Sequence, residues 1–401
     1  MASLAEAVLG LMRSVVCLHQ MPGRTFLRFL LWCSLLLMLI EENKPLAPFT
    51  TFGIGGPARW FVEATSEEEI AETAAWAGEH GVALFVMGGG SNLLVSDAGF
   101  QGLVLRMALR GITAIDALCN QTGPETTNPK SQSGSRIYQV AAGESWDDFV
   151  ELTVRENCAG VECLAGIPGT VGGTPVQNVG AYGQDAASVI EKVRAFDLAK
   201  HSFIEFTNSE CGFAYRRSRF NSEDCGRYVV TRVDYRLTPG GAPTIRYPDL
   251  QRAFAEGGLP SLSEVAAQVR SVRQAKGMLI VEGDPDCRSA GSFFKNPIVT
   301  DEQLLQVAYV SEKAPPRFPA GQEAEHQGRA KIPAAWLIEQ AGFTKGYTRG
   351  AATISSRHTL ALVNPGEAKA VDILALASEI TTAIEERFGI RLEMEPVMIG
   401  F

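Results

Sequence analysis

The sequence predicts an α+β chain of more than one domain, and three observations carry that prediction. At 401 residues, 46% of them hydrophobic, it is too long for one ordinary core and has the apolar residues to fill two or three. Capped helices with three-four apolar spacing alternate along it with period-2 strands. Two glycine-rich runs, at 88–92 and 164–183, sit next to apolar segments and carry almost no charge. A linker would be polar and repetitive, so these runs are read as buried and closely approached by something.

In chain order, Thr25 to Ile40 is strongly apolar and follows Arg13 and Arg24. That is the pattern of a signal peptide or a short anchor, although it falls short of the ~20 apolar residues a spanning helix needs. Translation starting at Met38 is the favoured alternative, because the residues from there on read as the start of a soluble enzyme. Residues 1–40 are therefore set apart as an extension.

Ala58 to Glu63 reads as a strand. Ser66 and Glu69 form a capping box for a helix with Ile70 and Ala74 on one face and Gly81 as its stop. An apolar strand then runs into Gly88, Gly89, Gly90, Ser91 and Asn92. Consecutive amides there can form an anion-binding nest that suits a diphosphate, with Ser91 and Asn92 adding side-chain donors. The run matches neither the dinucleotide fingerprint nor the P-loop. Leu103 to Leu105 is a strand.

Residues 117–136 are polar and irregular, a disordered surface insertion within a hairpin. After a strand at Tyr138 to Ala142, Ser145 and Asp148 cap a helix with Phe149 and Leu152 inward. The run Leu164 to Gly183 follows. In Tyr228 to Leu237, residues Val229, Thr231, Val233, Tyr235 and Leu237 share one side, whereas Val230, Arg232, Asp234 and Arg236 share a solvated one. A domain boundary falls at Pro239 to Pro243. Ser261 and Glu264 cap a helix that ends near Arg273 and Lys276. Ile332 to Gly342 is a short helix with Pro333 in its first turn. The last helix carries Ile373, Leu376, Ile380, Ile384 and Phe388 and stops at Gly389. A strand closes the chain.

Composition excludes some functions. A net charge of −9 and a pI near 5.3 argue against a nucleic-acid binder, so anionic ligands must be held by local donors. The eight cysteines include no C-x-x-C pair and the five histidines show no ligand spacing, so no metal site is expected and the thiols are read as reduced.

Three stretches could carry chemistry. Cys211 to Phe220 is a basic, aromatic turn, and such a cluster is most often a solvated face. Ala290-Gly-Ser-Phe-Phe-Lys-Asn-Pro297 places a serine after a glycine, without the G-x-S-x-G frame of a nucleophile. Glu393 and Glu395 are two apart, hence on one face of a strand.

The two separated glycine runs, their order and the stretches that follow resemble the flavoprotein family of UDP-N-acetylenolpyruvoylglucosamine reductases, from about Pro48 to Phe401. The chain departs from the family in its amino-terminal extension and at 117–136 and 313–331. The resemblance implies an FAD-binding domain of the vanillyl-alcohol-oxidase/PCMH type made of two α+β subdomains, 41–109 and 110–240. A carboxy-terminal α+β substrate-binding domain, 241–401, would close over it. FAD would lie along Gly88, Gly89, Gly90, Ser91 and Asn92 and along Ile167, Gly172, Gly173, Asn178 and Gly180. Neither run holds a His or Cys for covalent attachment, so FAD is expected to be non-covalent.

The implied reaction begins with NADPH reducing FAD; hydride then passes to the vinyl carbon of UDP-N-acetylglucosamine enolpyruvate, giving UDP-N-acetylmuramate for peptidoglycan. NADPH rests wholly on the family, since no motif for its 2′-phosphate is readable. Tyr215, Arg216 and Ser218 match the family's pattern at its catalytic arginine, Arg216, whose always-charged planar guanidinium suits a carboxylate substrate. Ser292 matches the serine that protonates the carbon beside the carboxylate. Glu395 matches the catalytic glutamate, with Glu393 as the fallback because the order here is Glu-Met-Glu-Pro. Tyr247, matching a tyrosine that closes over the nucleotide sugar in one subgroup, Lys276, Asn296 and His358 fall at substrate contacts. A cytoplasmic monomer is expected, without nucleic acid or stable membrane association.

Two other readings stand beside this one. The first is an oxidase or dehydrogenase acting on an alcohol or lactone. The second is a flavin-binding module without turnover, tethered through residues 25–40.

Overall fold

The computed structural model describes residues 39–117, 134–320 and 328–401, and Glu41–Phe401 form one compact unit. The readings of residues 1–38 therefore lie outside the described residues.

A four-stranded sheet comes first. Glu41–Pro45 pairs antiparallel with Pro57–Ala64, which lies parallel to Phe100–Met107, itself parallel to Leu84–Met87. The crossover helix Glu67–Glu79 buries Ile70, Thr73, Ala74 and Ala77. Ser66 accepts the Glu69 N–H as expected, but the Glu69 carboxylate reaches past Ser66 and takes the Thr65 N–H at 2.6 Å and its hydroxyl at 2.9 Å. Only half of the expected box forms, and Thr65 has its amide satisfied instead. Leu84–Met87 leads straight into Gly88.

An antiparallel sheet follows, in the order Ser202–Thr207, Ile190–Asp197, Tyr228–Pro239, Ser135–Ala141, Ile112–Ala117. The last two strands make the expected hairpin and take up both ends of the expected insertion; the claim of disorder at 118–133 lies outside the described residues. Val229, Thr231, Val233, Tyr235 and Leu237 are all buried, with the Tyr235 ring against Trp146 and Phe149 of the helix Trp146–Arg155. The opposite face is drier than expected. Val230 and Asp234 are buried too, and the Asp234 carboxylate accepts from Arg232 and Gln139. The helix buries Trp146, Phe149, Val150 and Thr153, whereas Leu152 is only half-buried, because that three-four stripe runs one position away from it.

The carboxy-terminal half is built from short strands and the helices Leu262–Ala275, Asp301–Ser311, Ala334–Gln340 and Ala370–Phe388. Here the capping box of Ser261 and Glu264 is complete. The final helix buries the five expected residues and ends at Gly389, whose φ of +67° suits glycine. Its core is continuous with Phe52, Ile54 and Leu94 of the first half. Asp97 accepts the N–H groups of Ala370 and Val371, capping this helix from the other end of the sequence. Within 313–331, Arg329–Lys331 is the central strand of a three-stranded sheet, pairing with Ile298–Thr300 on one side and Phe318–Pro319 on the other, so part of that loop is strand. The closing strand is only Val397–Ile399, parallel to Leu93–Val95. Glu393 and Glu395 precede it, flanking an isolated bridge between Met394 and Phe294. Among the described residues no helix is long and apolar enough to cross a membrane.

Candidate active site

Ala214 and Arg217 exchange backbone hydrogen bonds of 2.9 and 3.3 Å, which leaves Tyr215 and Arg216 as the two residues of a tight turn. Arg216 adopts φ +56°, a left-handed conformation that few non-glycine residues take. Neighbouring side chains hold it there. Asn221 Nδ2 donates to the Arg216 carbonyl at 3.1 Å, Asn178 Nδ2 donates to the Ala214 carbonyl at 3.0 Å, and Ser218 Oγ donates to the Val176 carbonyl at 2.6 Å. Asn178 and Val176 belong to the second glycine-rich run, so that run fixes the arginine turn.

Arg216 Nε lies 2.9 Å from Glu395 Oε1 in a pair whose side chains are 21% and 11% exposed. The Nε–H points off that line and has no hydrogen-bond partner among the described residues, so the two groups are a close ion pair with an unsatisfied proton. Burial pushes the Glu395 carboxyl above its usual range, against the pull of Arg216 and Lys295. Glu393 differs sharply. It is 71% exposed and pairs with Lys295 at 2.6 Å. The Glu395 N–H donates to the Phe293 carbonyl at 2.9 Å, which holds the segment of Ser292 alongside. Ser292 is half-buried and follows Gly291, at φ +71°.

Tyr247, Lys276 and His358 come together in a second cluster. Lys276 Nζ stands 3.1 Å from Asp249 and faces the rings of Tyr247 and Tyr182 at 5.6 and 5.7 Å. Burial opposes the lysine's charge, but Tyr247, Tyr182 and Asp249 outweigh it and raise its pKa. His358 is driven down to about 4 by burial and by the charges of Lys276 and Lys345, so it is a neutral imidazole. Tyr182 was not expected here. It is buried at φ +48° with its ring edge-on to Tyr247 at 5.2 Å, and the one sequence sign was an aromatic residue inside a glycine run. Asn296 lies apart from this cluster. Its Oδ1 accepts the Ala334 N–H at 2.9 Å, and it hydrogen-bonds the Tyr215 hydroxyl.

The glycine runs pack on each other. A Cβ on Gly89 would sit 2.7 Å from Gly169 Cα, and one on Gly90, at φ +64°, would sit 1.8 Å from the Phe49 carbonyl oxygen. Gly172 is pressed against Ala142 and Gly180 against Asp185, Gly173 is open to solvent, and Ile167 is half-buried. The side-chain donors expected for a diphosphate are engaged within the protein. Ser91 Oγ donates to the Pro168 carbonyl at 3.0 Å, and Asn92 Nδ2 donates to Gln177 Oε1 at 2.7 Å and to the Glu395 carbonyl at 3.2 Å. Asn178 is likewise engaged, accepting the Ala187 N–H while it donates to Ala214.

Within the glycine runs, what remains for an anion is backbone and one hydroxyl. The N–H groups of Gly89 and Gly90 bond to nothing among the described residues, and Thr170 Oγ1, buried against Gly88, has no partner. A cleft of about 670 Å³ opens onto Gly88 and Gly89, with Phe49, Thr51, Arg106 and Arg288 in its walls. Free amides, an orphan hydroxyl and a cleft of this volume fit a phosphate-bearing cofactor such as FAD.

Comparison with known proteins decides the family. The chain is 44% identical over 371 residues to the UDP-N-acetylenolpyruvoylglucosamine reductase of Streptomyces coelicolor, covering 90% of each chain. This chain belongs to the UDP-N-acetylenolpyruvoylglucosamine reductase family. The reductase of Thermobifida fusca is 43% identical over 368 residues, with 90% of this chain and 98% of that one covered. The crystal structure of the reductase from Thermus caldophilus superposes with a TM-score of 0.57 at 25% identity, over 90% of this chain and 99% of the other. The model of the reductase's C-terminal domain matches residues 284–399, and that of an FAD binding domain matches 58–205. Ser292 and both glutamates thus fall within the reductase C-terminal domain, and both glycine runs within the FAD binding domain.

Proposed function

We infer that the protein carries out the reaction of its family, the NADPH-dependent reduction of UDP-N-acetylglucosamine enolpyruvate to UDP-N-acetylmuramate in peptidoglycan synthesis, with bound FAD. The observation that carries the assignment of roles is the buried pair of Arg216 and Glu395, held against the segment of Ser292 by the Glu395 N–H. Bound along the glycine runs, FAD reduced by NADPH would supply the hydride for the vinyl carbon. The residues do the rest. Arg216, with an Nε proton still unsatisfied, binds the substrate carboxylate and offsets the charge that grows there as the neighbouring carbon becomes enolic. Glu395, shifted upward by burial, moves toward the protonated form that donates to an enolate oxygen. Ser292 delivers its hydroxyl proton to the carbon beside the carboxylate.

Lys276, flanked by Tyr182 and Tyr247, supplies a cation for the substrate diphosphate, and neutral His358 offers a ring hydrogen bond without adding charge. Asn296 acts on the substrate face through Tyr215. The cofactor seat occupies 41–109 and 110–240 and the substrate portion 241–401, in a cytoplasmic monomer.

The test is a stopped-flow comparison of wild type and Ser292→Ala, both loaded with FAD. Bleaching of the flavin by NADPH keeps its rate, whereas the return of colour on adding the enolpyruvyl nucleotide sugar slows by about 10² to 10⁴, the usual worth of a positioned proton donor. Equal slowing of both phases would refute the assignment of Ser292.

A further inference from the structure

We propose that Arg288 is the cation that binds the diphosphate of FAD, an inference that rests on the reading of the glycine cleft as the FAD seat. Arg288 lines that cleft together with Gly88 and Gly89. Its guanidinium makes no hydrogen bond or ion pair with any described residue. The other charged groups in the walls are engaged. Arg106 is bonded to Glu63 and lies over the Phe49 ring at 4.8 Å, and Asp284 is bonded to Arg357. Arg288 is thus the wall cation left for a ligand.

The local structure holds that guanidinium ready. The Arg288 N–H donates to the Pro285 carbonyl at 3.2 Å and its own carbonyl accepts the Asn364 N–H at 2.9 Å, so the backbone is pinned on both sides. A Cβ at Gly53 would lie 2.7 Å from Arg288 Nη2, so the glycine there leaves room for the planar group. Thr51 Oγ1 lies 2.6 Å from the Ser289 carbonyl and 3.3 Å from the Ser91 carbonyl. The residue after Arg288 and the residue after Gly90 are therefore tied to one hydroxyl, which sets the arginine and the glycine amides in one frame.

A cation at this place complements the charge of a diphosphate. The chain carries a net charge of −9, and the Ser91 and Asn92 side chains already donate to Pro168 and Gln177. Backbone amides alone offer partial charges, whereas a guanidinium presents a full charge and a fork that matches phosphate oxygens. Arg288 also stands four residues before Ser292 on the same segment. A contact to the diphosphate would therefore steady the loop that carries the proton donor.

The experiment strips FAD from the full-length wild type, Arg288→Gln and Arg288→Lys, then titrates FAD back and follows flavin fluorescence at several salt concentrations. Arg288→Gln should bind FAD about tenfold to a hundredfold more weakly, the range for loss of a charge-assisted contact. Its affinity should also depend less on salt than the wild type's, while Arg288→Lys keeps the salt dependence. Melting temperatures of the three apo proteins show whether the fold is kept. Affinity of Arg288→Gln within threefold of wild type, or a loss with an unchanged salt dependence, would overturn the assignment. Wild type that takes up no FAD would instead overturn the cofactor reading itself.

Discussion

Asn178 separates two accounts of the second glycine run. If the side chain touches the cofactor, removing it weakens FAD binding; if it braces the Arg216 turn, removing it weakens the turn. Asn178 is 8% exposed, sits at φ +44°, donates to Ala214 and accepts from Ala187, both at 3.0 Å. Asn178→Ala loses two hydrogen bonds, each worth about 1 kcal/mol net. It also places a Cβ without asparagine's local compensation in the left-handed region, at a further cost of about 1 kcal/mol. The sum is about 3 kcal/mol of stability. Asn178→Gly loses the same bonds without the strain, so it should be destabilised by about 2 kcal/mol, and the gap between the two variants isolates the backbone effect. Urea unfolding of the apo proteins measures both.

The turn reading adds a kinetic signature for the loaded enzyme. kcat should fall about tenfold or more as Arg216 loses its mooring, because small misplacements of a catalytic group are costly. FAD affinity should stay within about threefold. An Asn178→Ala protein as stable as wild type, or one that loses FAD affinity while the loaded enzyme keeps its kcat, would refute the brace.

The remaining predictions concern the carboxylates and the buried histidine. Glu393→Gln touches an exposed pair with Lys295 and should change stability by less than about 0.5 kcal/mol and leave kcat alone, as surface ion pairs do. Glu395→Gln should instead lower kcat and shift the pH profile of substrate reduction, since it removes the buried partner of Arg216; equal kinetics for the two variants would reverse their ranking. His358 has a folded-state pKa of about 4 against 6.5 for the free side chain, so the stability linked to its neutral form is present above 6.5 and is lost as pH falls toward 4. Urea midpoints across that window should fall less for His358→Gln than for wild type, and parallel curves would exclude the histidine as a contributor.

Local signals made the fold legible. Ser66, Ser145 and Ser261 each begin the helix they announce, Gly389 ends the last one, and the period-2 pattern of Tyr228 to Leu237 matches a buried face. Distant partners were not legible. Asp97 caps a helix whose first residue is Ala370, and no pattern near either position announces that bond. Glu393 and Glu395 look equivalent in sequence because period two puts them on one face. What separates them is tertiary: one meets Arg216 in a buried pair, and the other meets Lys295 in water. Tyr182 was passed over because a buried aromatic at positive φ is visible only once Lys276 and Tyr247 stand beside it.

In the glycine runs the glycines and the polar residues among them are engaged differently. Glycine's missing Cβ lets Gly89 and Gly169 approach within contact and leaves amides bare, and that much follows from composition. The polar residues set among the glycines perform a different task. The Asn92 side chain donates to the Glu395 carbonyl while its backbone carbonyl accepts the Val397 N–H, Asn178 donates to the turn of Arg216, and Ser91 joins the first run to the second. The first run lends the backbone of Gly88 and Gly89 to the cleft, while Asn92 and Asn178 hold the segments bearing the catalytic pair. Through these bonds the first run is tied to the Glu395 segment and the second to the Arg216 turn, so a substitution in either run should be read at the catalytic pair as well as at the cleft.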